Sequence, residues 1–117
     1  MSPDQAAELL RTLSDPPRLR LLALLREHGT LCVCELEQVT GVAQYTVSRN
    51  LGILRRAALV EGQRAGARMD YRLRPDLPAA TLTLIDATIA LLADDPQSAA
   101  DQAAAAGVRQ CCQPSVA

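Results

Sequence analysis

Ala43-Gln44-Tyr45-Thr46-Val47-Ser48-Arg49-Asn50-Leu51-Gly52-Ile53-Leu54-Arg55-Arg56-Ala57-Ala58 is followed shortly by Arg68-Met69-Asp70-Tyr71-Arg72-Leu73-Arg74, and the two stretches have different periods. In the first, Val47, Leu51, Leu54 and Ala58 recur at steps of four, three and four, which makes them the buried stripe of a helix starting near Ala43. Gln44, Ser48, Arg49, Gly52 and Arg55 fall outside that stripe. In the second, Met69, Tyr71 and Leu73 alternate with Arg68, Asp70, Arg72 and Arg74, the pattern of a half-buried strand. Leu59-Val60-Glu61 is the expected partner strand, with Gly62 to Ala67 as the turn. Two strands do not stand alone in water, so the hairpin must lean on helices.

Upstream, Ala6, Leu9, Leu10 and Leu13 place a helix over 3–13. Ser14-Asp15-Pro16-Pro17 breaks the chain and restarts it, because Ser14 or Asp15 can cap the next helix and proline is tolerated in a first turn. That second helix carries Leu19, Leu21, Leu22, Leu24 and Leu25 and ends near His28-Gly29. A short third helix is expected from about Val33 to Val39, stopped at Thr40-Gly41. Downstream, residues 78–93 form a helix with Leu82, Ile85, Ile89 and Leu92 on one stripe and Leu77, Leu84 and Leu91 on an adjoining one. So wide an apolar arc fits a helix that packs on its own core and on a partner chain. Residues 97–106 are Ala-rich and can be helical, but they lack an apolar stripe and are expected to dock loosely. The expected division is a domain over 1–93 and a tail over 94–117 that ends in Cys111-Cys112.

The 117 residues are 49% apolar, enough for one core and too apolar for a disordered chain. There is no apolar run of about 18 residues, and Met1-Ser2-Pro3-Asp4-Gln5 lacks the charge and apolar segment of a signal peptide, so a cytoplasmic protein without a membrane partner is expected. Two Tyr and no Phe or Trp argue against a stacking platform for single strands. A single histidine, His28, argues against His-based catalysis or a His-rich zinc site. The net charge of −1 hides an uneven distribution, because residues 49–74 hold seven Arg against Glu61 and Asp70. A local basic patch on a nearly neutral chain suits a DNA-reading surface.

The order of helices, short helix, polar-faced helix and hairpin is that of a winged helix-turn-helix, and four motifs give it a resemblance. Leu13-Ser14-Asp15-Pro16-Pro17-Arg18-Leu19-Arg20-Leu21-Leu22 resembles the opening signature of the ArsR/SmtB family of bacterial metalloregulatory repressors. Leu31-Cys32-Val33-Cys34-Glu35-Leu36 is similar to its Cys-x-Cys box, Gln44 to Leu51 to its recognition helix, and Asp70-Tyr71-Arg72-Leu73 to its second wing strand. The resemblance spans roughly residues 5–93 and implies a mainly α winged helix-turn-helix homodimer that binds double-stranded operator DNA. The last helix and residues 3–13 would form the interface. Gln44, Tyr45, Thr46, Ser48 and Arg49 would meet base edges, and Arg64 and Arg68 at the hairpin tip would meet phosphate or the minor groove. Three positions depart from the pattern. Glu37 stands where arsenite sensors of this type often have a third Cys, Ala43 where a capping Ser is frequent, and Ala58 where Gly is common.

The four cysteines fall into two pairs, Cys32-x-Cys34 and Cys111-Cys112. Clustered thiols in a reducing compartment favour soft-ion binding over disulfides. The resemblance implies trivalent arsenic or antimony, arsenite or antimonite, held by three sulfurs. Cys32 and Cys34 at the start of the third helix are then one sulfur short, and Cys111 or Cys112 is the candidate third. From Pro96 to Cys111 the chain spans about 22 Å if helical and up to roughly 50 Å if extended, which reaches either protomer. Residues i and i+2 of an ideal helix point about 200° apart, so a shared ion would distort the turn beside the recognition helix. All four sulfurs would instead suit cadmium or lead, and the same thiols would serve a redox-switch repressor. Zinc sensing through residues 78–93 is rejected, because they offer only Asp86 and no His. A thiol enzyme is rejected as well, because there is no Cys-x-x-Cys and no base beside a catalytic loop.

Overall fold

In the computed structural model, residues 1–108 are described. α1 (Pro3–Leu13) opens on a capping box in which the Ser2 hydroxyl accepts from the Gln5 N–H and the Gln5 side chain accepts from the Ser2 N–H. α2 (Pro16–His28) has Asp15 as its N-cap and two prolines in its first turn, where their missing N–H groups cost nothing. Leu21, Leu22, Leu24 and Leu25 are all buried, so α2 is the central post of the core. It ends at Gly29, whose φ of +83° suits a residue without Cβ.

The chain then does what sequence periodicity did not signal. Leu31 and Cys32 form a short strand, β1 (Leu31–Cys32), before α3 (Val33–Thr40) begins. The expected hairpin is thus part of a three-stranded antiparallel sheet of order β1-β3-β2, with β2 (Val60–Ala65) and β3 (Arg68–Leu73). Leu31 pairs with Tyr71 and Cys32 with Asp70, while β2 and β3 pair from Val60↔Leu73 to Ala65↔Arg68. The turn is only Gly66-Ala67, shorter than the expected Gly62 to Ala67. Two residues give a two-point alternation at most, which is too little for a strand to be read from sequence.

α4 (Gln44–Arg56) buries Val47, Leu51 and Leu54 as its spacing requires. Ala58 does not belong to that stripe. It is exposed, outside the helix, at φ +61°. Its N–H donates to the Arg55 carbonyl at 3.0 Å, and the Leu59 N–H donates to the Leu54 carbonyl at 3.0 Å. This is a Schellman ending built on alanine, and the turn is as sharp as a glycine would make it.

α5 (Ala79–Ala90) buries Ile85 and half-buries Leu82, Leu84 and Ile89, whereas Leu91 just beyond it is 82% exposed. α6 (Pro96–Val108) differs from the loosely docked segment expected. It packs on α2 and α3, with Ala105 and Asp101 fully buried. Arg20 grips both Asp101 oxygens at 2.8 and 2.9 Å and also donates to the Thr40 carbonyl at 2.8 Å. One guanidinium therefore joins α2, the end of α3 and α6. Among the described residues, no helix is long and apolar enough to cross a membrane.

Candidate functional site

α3 and α4 form a helix-turn-helix through Gly41, which takes the left-handed conformation at φ +70°. Ala43, the N-cap of α4, supplies no side-chain cap. Glu37 supplies one from the preceding helix, because the Gln44 N–H donates to its Oε2 at 2.8 Å. Glu37, at the position of the absent third Cys, thus takes over the task that Ala43 leaves open. At the other face of α4, buried Asn50 accepts from Arg18 Nη1 at 3.3 Å. Arg18 also donates from Nε to the Thr12 carbonyl at 2.7 Å, so one arginine fixes α4 against the α1–α2 junction. Sequence reading missed Asn50, although its spacing from Val47 and Leu54 puts it on the buried stripe.

Opposite that stripe, Gln44, Tyr45, Ser48 and Arg49 are exposed and Thr46 is half-buried. Tyr45 is 76% exposed, unusual for an aromatic side chain. Of the seven arginines over 49–74, Arg68 pairs with Asp70 at 2.9 Å, Arg72 with Glu61 at 2.6 Å and Arg74 with Asp76 at 2.8 Å. Arg49, Arg55, Arg56 and Arg64 are exposed and take part in none of the ion pairs among the described residues. The structure therefore separates the two wing residues singled out from sequence. Arg64 stands open on β2 beside the turn, while Arg68 is committed to Asp70.

The Cys-x-Cys box is divided by the same boundary. Cys32 is not helical. It ends β1 and is the N-cap of α3, with its Sγ accepting from the Glu35 N–H at 3.4 Å. The Glu35 carboxylate returns the bond, accepting from the Cys32 N–H at 2.9 Å. Burial, first of all, pushes the Cys32 thiol above its ordinary pKa. The Glu35 N–H pulls it down, and the Glu35 carboxylate pushes it further up. Cys34 is in the first turn of α3, exposed, and engaged in a disulfide. The ideal-helix angle between residues i and i+2 does not apply, since only one of the two is in the helix. Cys111 and Cys112 lie outside the described residues. Among the described residues, no group of three His, Cys, Asp or Glu side chains is arranged to hold a metal ion. His28 is bonded through Nε2 to the Gln102 side chain at 2.8 Å.

A groove of about 610 Å³ runs between α1, the end of α4 and the start of α5, lined by Leu9, Ala57, Leu59, Leu77 and Pro78 among others. It adjoins the two segments expected to form an interface.

Residues 15–61 match the family described as bacterial regulatory protein, arsR family. The chain is 38% identical over 79 residues to the arsenical resistance operon repressor of Escherichia coli K12, covering 68% of this chain and 68% of that protein. Among solved structures, the transcriptional repressor BigR from Xylella fastidiosa matches with a TM-score of 0.66 at 38% identity, over 80% of this chain and 88% of that one. The AntR antimony-specific transcriptional repressor matches with a TM-score of 0.66 at 26% identity, over 80% and 82% of the two chains.

Proposed function

The chain belongs to the ArsR family of bacterial transcriptional regulators, and from that premise we propose that it is a homodimeric, cytoplasmic repressor released from double-stranded operator DNA when trivalent arsenic or antimony binds its cysteines. Its relatives are DNA-binding regulators and not enzymes. The observation that carries the proposal is the position of Cys32, whose sulfur caps the helix that in turn caps α4 through Glu37.

In the DNA-bound state, Gln44, Tyr45, Thr46, Ser48 and Arg49 face the major groove and Arg64 meets phosphate. Arg68 has a lesser part, because its charge is spent on Asp70. Dimerisation through α1 and α5 would cover Leu10 and Leu91, 53% and 82% exposed, and close the groove between these helices. Two α4 helices then read two half-sites.

Release follows from the capping role of Cys32. Cys32 Sγ is buried against the α3 N-terminus while Cys34 is exposed, so sharing one ion draws Cys32 off the Glu35 N–H. Loss of an N-cap costs about 1 kcal/mol of helix stability. The first turn of α3 frays, and Glu37 loses its hold on α4. Once a thiol reductant has opened the Cys34 disulfide, each thiol proton would combine with a hydroxyl group of arsenous acid, so that a sulfur–arsenic bond replaces an arsenic–oxygen bond and water departs. Cys111 or Cys112 supplies the third sulfur at the high local concentration of a tethered group. Cadmium or lead would be the inducer if all four sulfurs bind together. A redox switch is the second reading, favoured by the disulfide-bonded state of exposed Cys34.

The ligand role of the tail is tested by changing Cys111 and Cys112 to Ser together and following DNA release. The response to arsenite should weaken, and the response to a monomethylated trivalent arsenical, which needs only two sulfurs, should be better retained. An arsenite response equal to wild type removes the tail from the ligand set. Release by peroxide in the absence of metalloid would select the redox reading.

A further inference from the structure

Glycine is among the worst residues for a helix interior, well below alanine, because it has the most backbone freedom to lose. Gly52 is in the middle of α4. Of the other glycines, Gly107 is the penultimate residue of α6, in the fraying last turn, where a Cβ would meet nothing within 4 Å, and the remaining four have reasons of their own. Gly29, Gly41 and Gly66 take positive φ, and at Gly62 a Cβ would lie 2.9 Å from the Tyr71 ring. Gly52 has neither reason. Its φ is helical, and a Cβ there would meet only the end of the Arg56 side chain, at an ordinary 3.5 Å. Nothing among the described residues requires this residue to lack a side chain.

Its place on the helix gives a reason outside the protein. Tyr45, Arg49, Gly52 and Arg56 follow one another at steps of four, three and four, and so lie within about 60° of one another around the helix axis. The buried stripe of Val47, Asn50, Leu51 and Leu54 is on the opposite side. Tyr45, Arg49 and Arg56 are exposed, and neither arginine has an ion-pair partner among the described residues. The Arg56 guanidinium lies alongside Gly52, with Nη1 3.5 Å from where a Cβ would stand.

We infer that Gly52 is a specificity-determining residue of the DNA-reading face, the point at which the α4 backbone comes closest to the duplex, and that Arg56 extends this face beyond the residues at the helix start. The inference rests on the proposed reading of α4 as the DNA reader. A methyl group at Gly52 would hold the helix away from the groove. Hydrogen bonds to base edges survive only within about 2.7–3.2 Å, so the contacts of Arg49 and its neighbours would be lost first. Phosphate contacts tolerate a shift better, because they are largely Coulombic. Arg56, already lying along the glycine, is placed to reach a phosphate once the helix is seated.

The test is Gly52→Ala, studied with two probes: a duplex selected from a randomised pool by the wild-type protein, and a scrambled duplex of the same length and composition. Alanine is the better helix former, so the midpoint of thermal unfolding should rise by about 2–5 °C. Affinity for the selected duplex should fall at least fivefold, and affinity for the scrambled duplex should change less than twofold. A variant both more stable and less specific is not expected of a glycine kept for folding. Loss on the selected duplex of less than fivefold, an equal loss on both duplexes, or a lowered melting midpoint overturns the inference. Arg49→Ala separates it from the reading beneath it. If Arg49→Ala binds the selected duplex like wild type, the assignment of α4 as the reader fails; if Arg49→Ala is weakened and Gly52→Ala is not, only the role of Gly52 fails. Arg56→Ala should reduce the slope of log affinity against log salt by about one unit on both duplexes.

Discussion

Ala58 shows how a single residue can hold a turn against its own preference. An L-residue in the left-handed region costs about 1–2 kcal/mol, and the two Schellman hydrogen bonds to Leu54 and Arg55 keep it there. Ala58→Gly removes that strain but adds freedom to the unfolded chain, so we expect a net gain of about 0.5–1 kcal/mol in urea unfolding. The helical spacing that placed Ala58 on the buried stripe was misleading, because small residues fit a stripe and a turn equally well. Cys32 and Cys34 show a second limit. Their spacing was legible, but the boundary between them depends on a strand pairing with Tyr71 and Asp70, some 40 residues away. Its consequence is measurable. In the reduced protein at neutral pH, iodoacetamide should modify exposed Cys34 well before buried Cys32, as read by peptide mass spectrometry. The folded pKa of Cys32 is raised, so the neutral thiol stabilises the fold below the unfolded thiol pKa of about 8.5, and this contribution is lost as pH rises through the folded value. Stability should therefore fall on the alkaline side, and less so in Cys32→Ala.

At the scale of elements, α3 and α4 are joined by a cap that crosses between helices. Glu37→Ala should destabilise the protein by about 1 kcal/mol, and the same change in an Ala43→Ser background should cost much less, because serine restores a local cap. Additive effects in that double-mutant cycle would mean that Glu37 does not act as the cap. α6 is the element whose role was least legible. Its helicity could be read from the alanines, but its docking could not. The contact rests on Arg20 and Asp101, 81 residues apart, and on the small face of Ala105. Asp101→Ala leaves a mostly buried guanidinium half-paired, and a cost of about 2–4 kcal/mol is expected on unfolding, less than for a fully buried pair because Arg20 retains 21% exposure. If α6 were loosely docked, the same change would be nearly neutral.

For the whole molecule, the winged helix-turn-helix was legible because its period changes within thirty residues, from helical in α4 to alternating in β3. The basic patch was legible in sequence only as a total. The structure divides it into arginines spent on Asp70, Glu61 and Asp76 and arginines left open at 49, 55, 56 and 64. That division predicts that Arg64→Ala weakens binding to any duplex, while Arg68→Ala does so much less. The account as a whole holds that thiol chemistry at the entrance to α3 controls DNA binding. It is tested most directly by following the fluorescence anisotropy of a labelled, wild-type-selected duplex during arsenite titration under a non-thiol reductant, for the wild type and for Cys34→Ser. The account predicts equal DNA affinity before arsenite, release of the wild type, and a Cys34→Ser complex that stays bound at concentrations that fully release the wild type. Release of Cys34→Ser at the same arsenite concentration as wild type would contradict it.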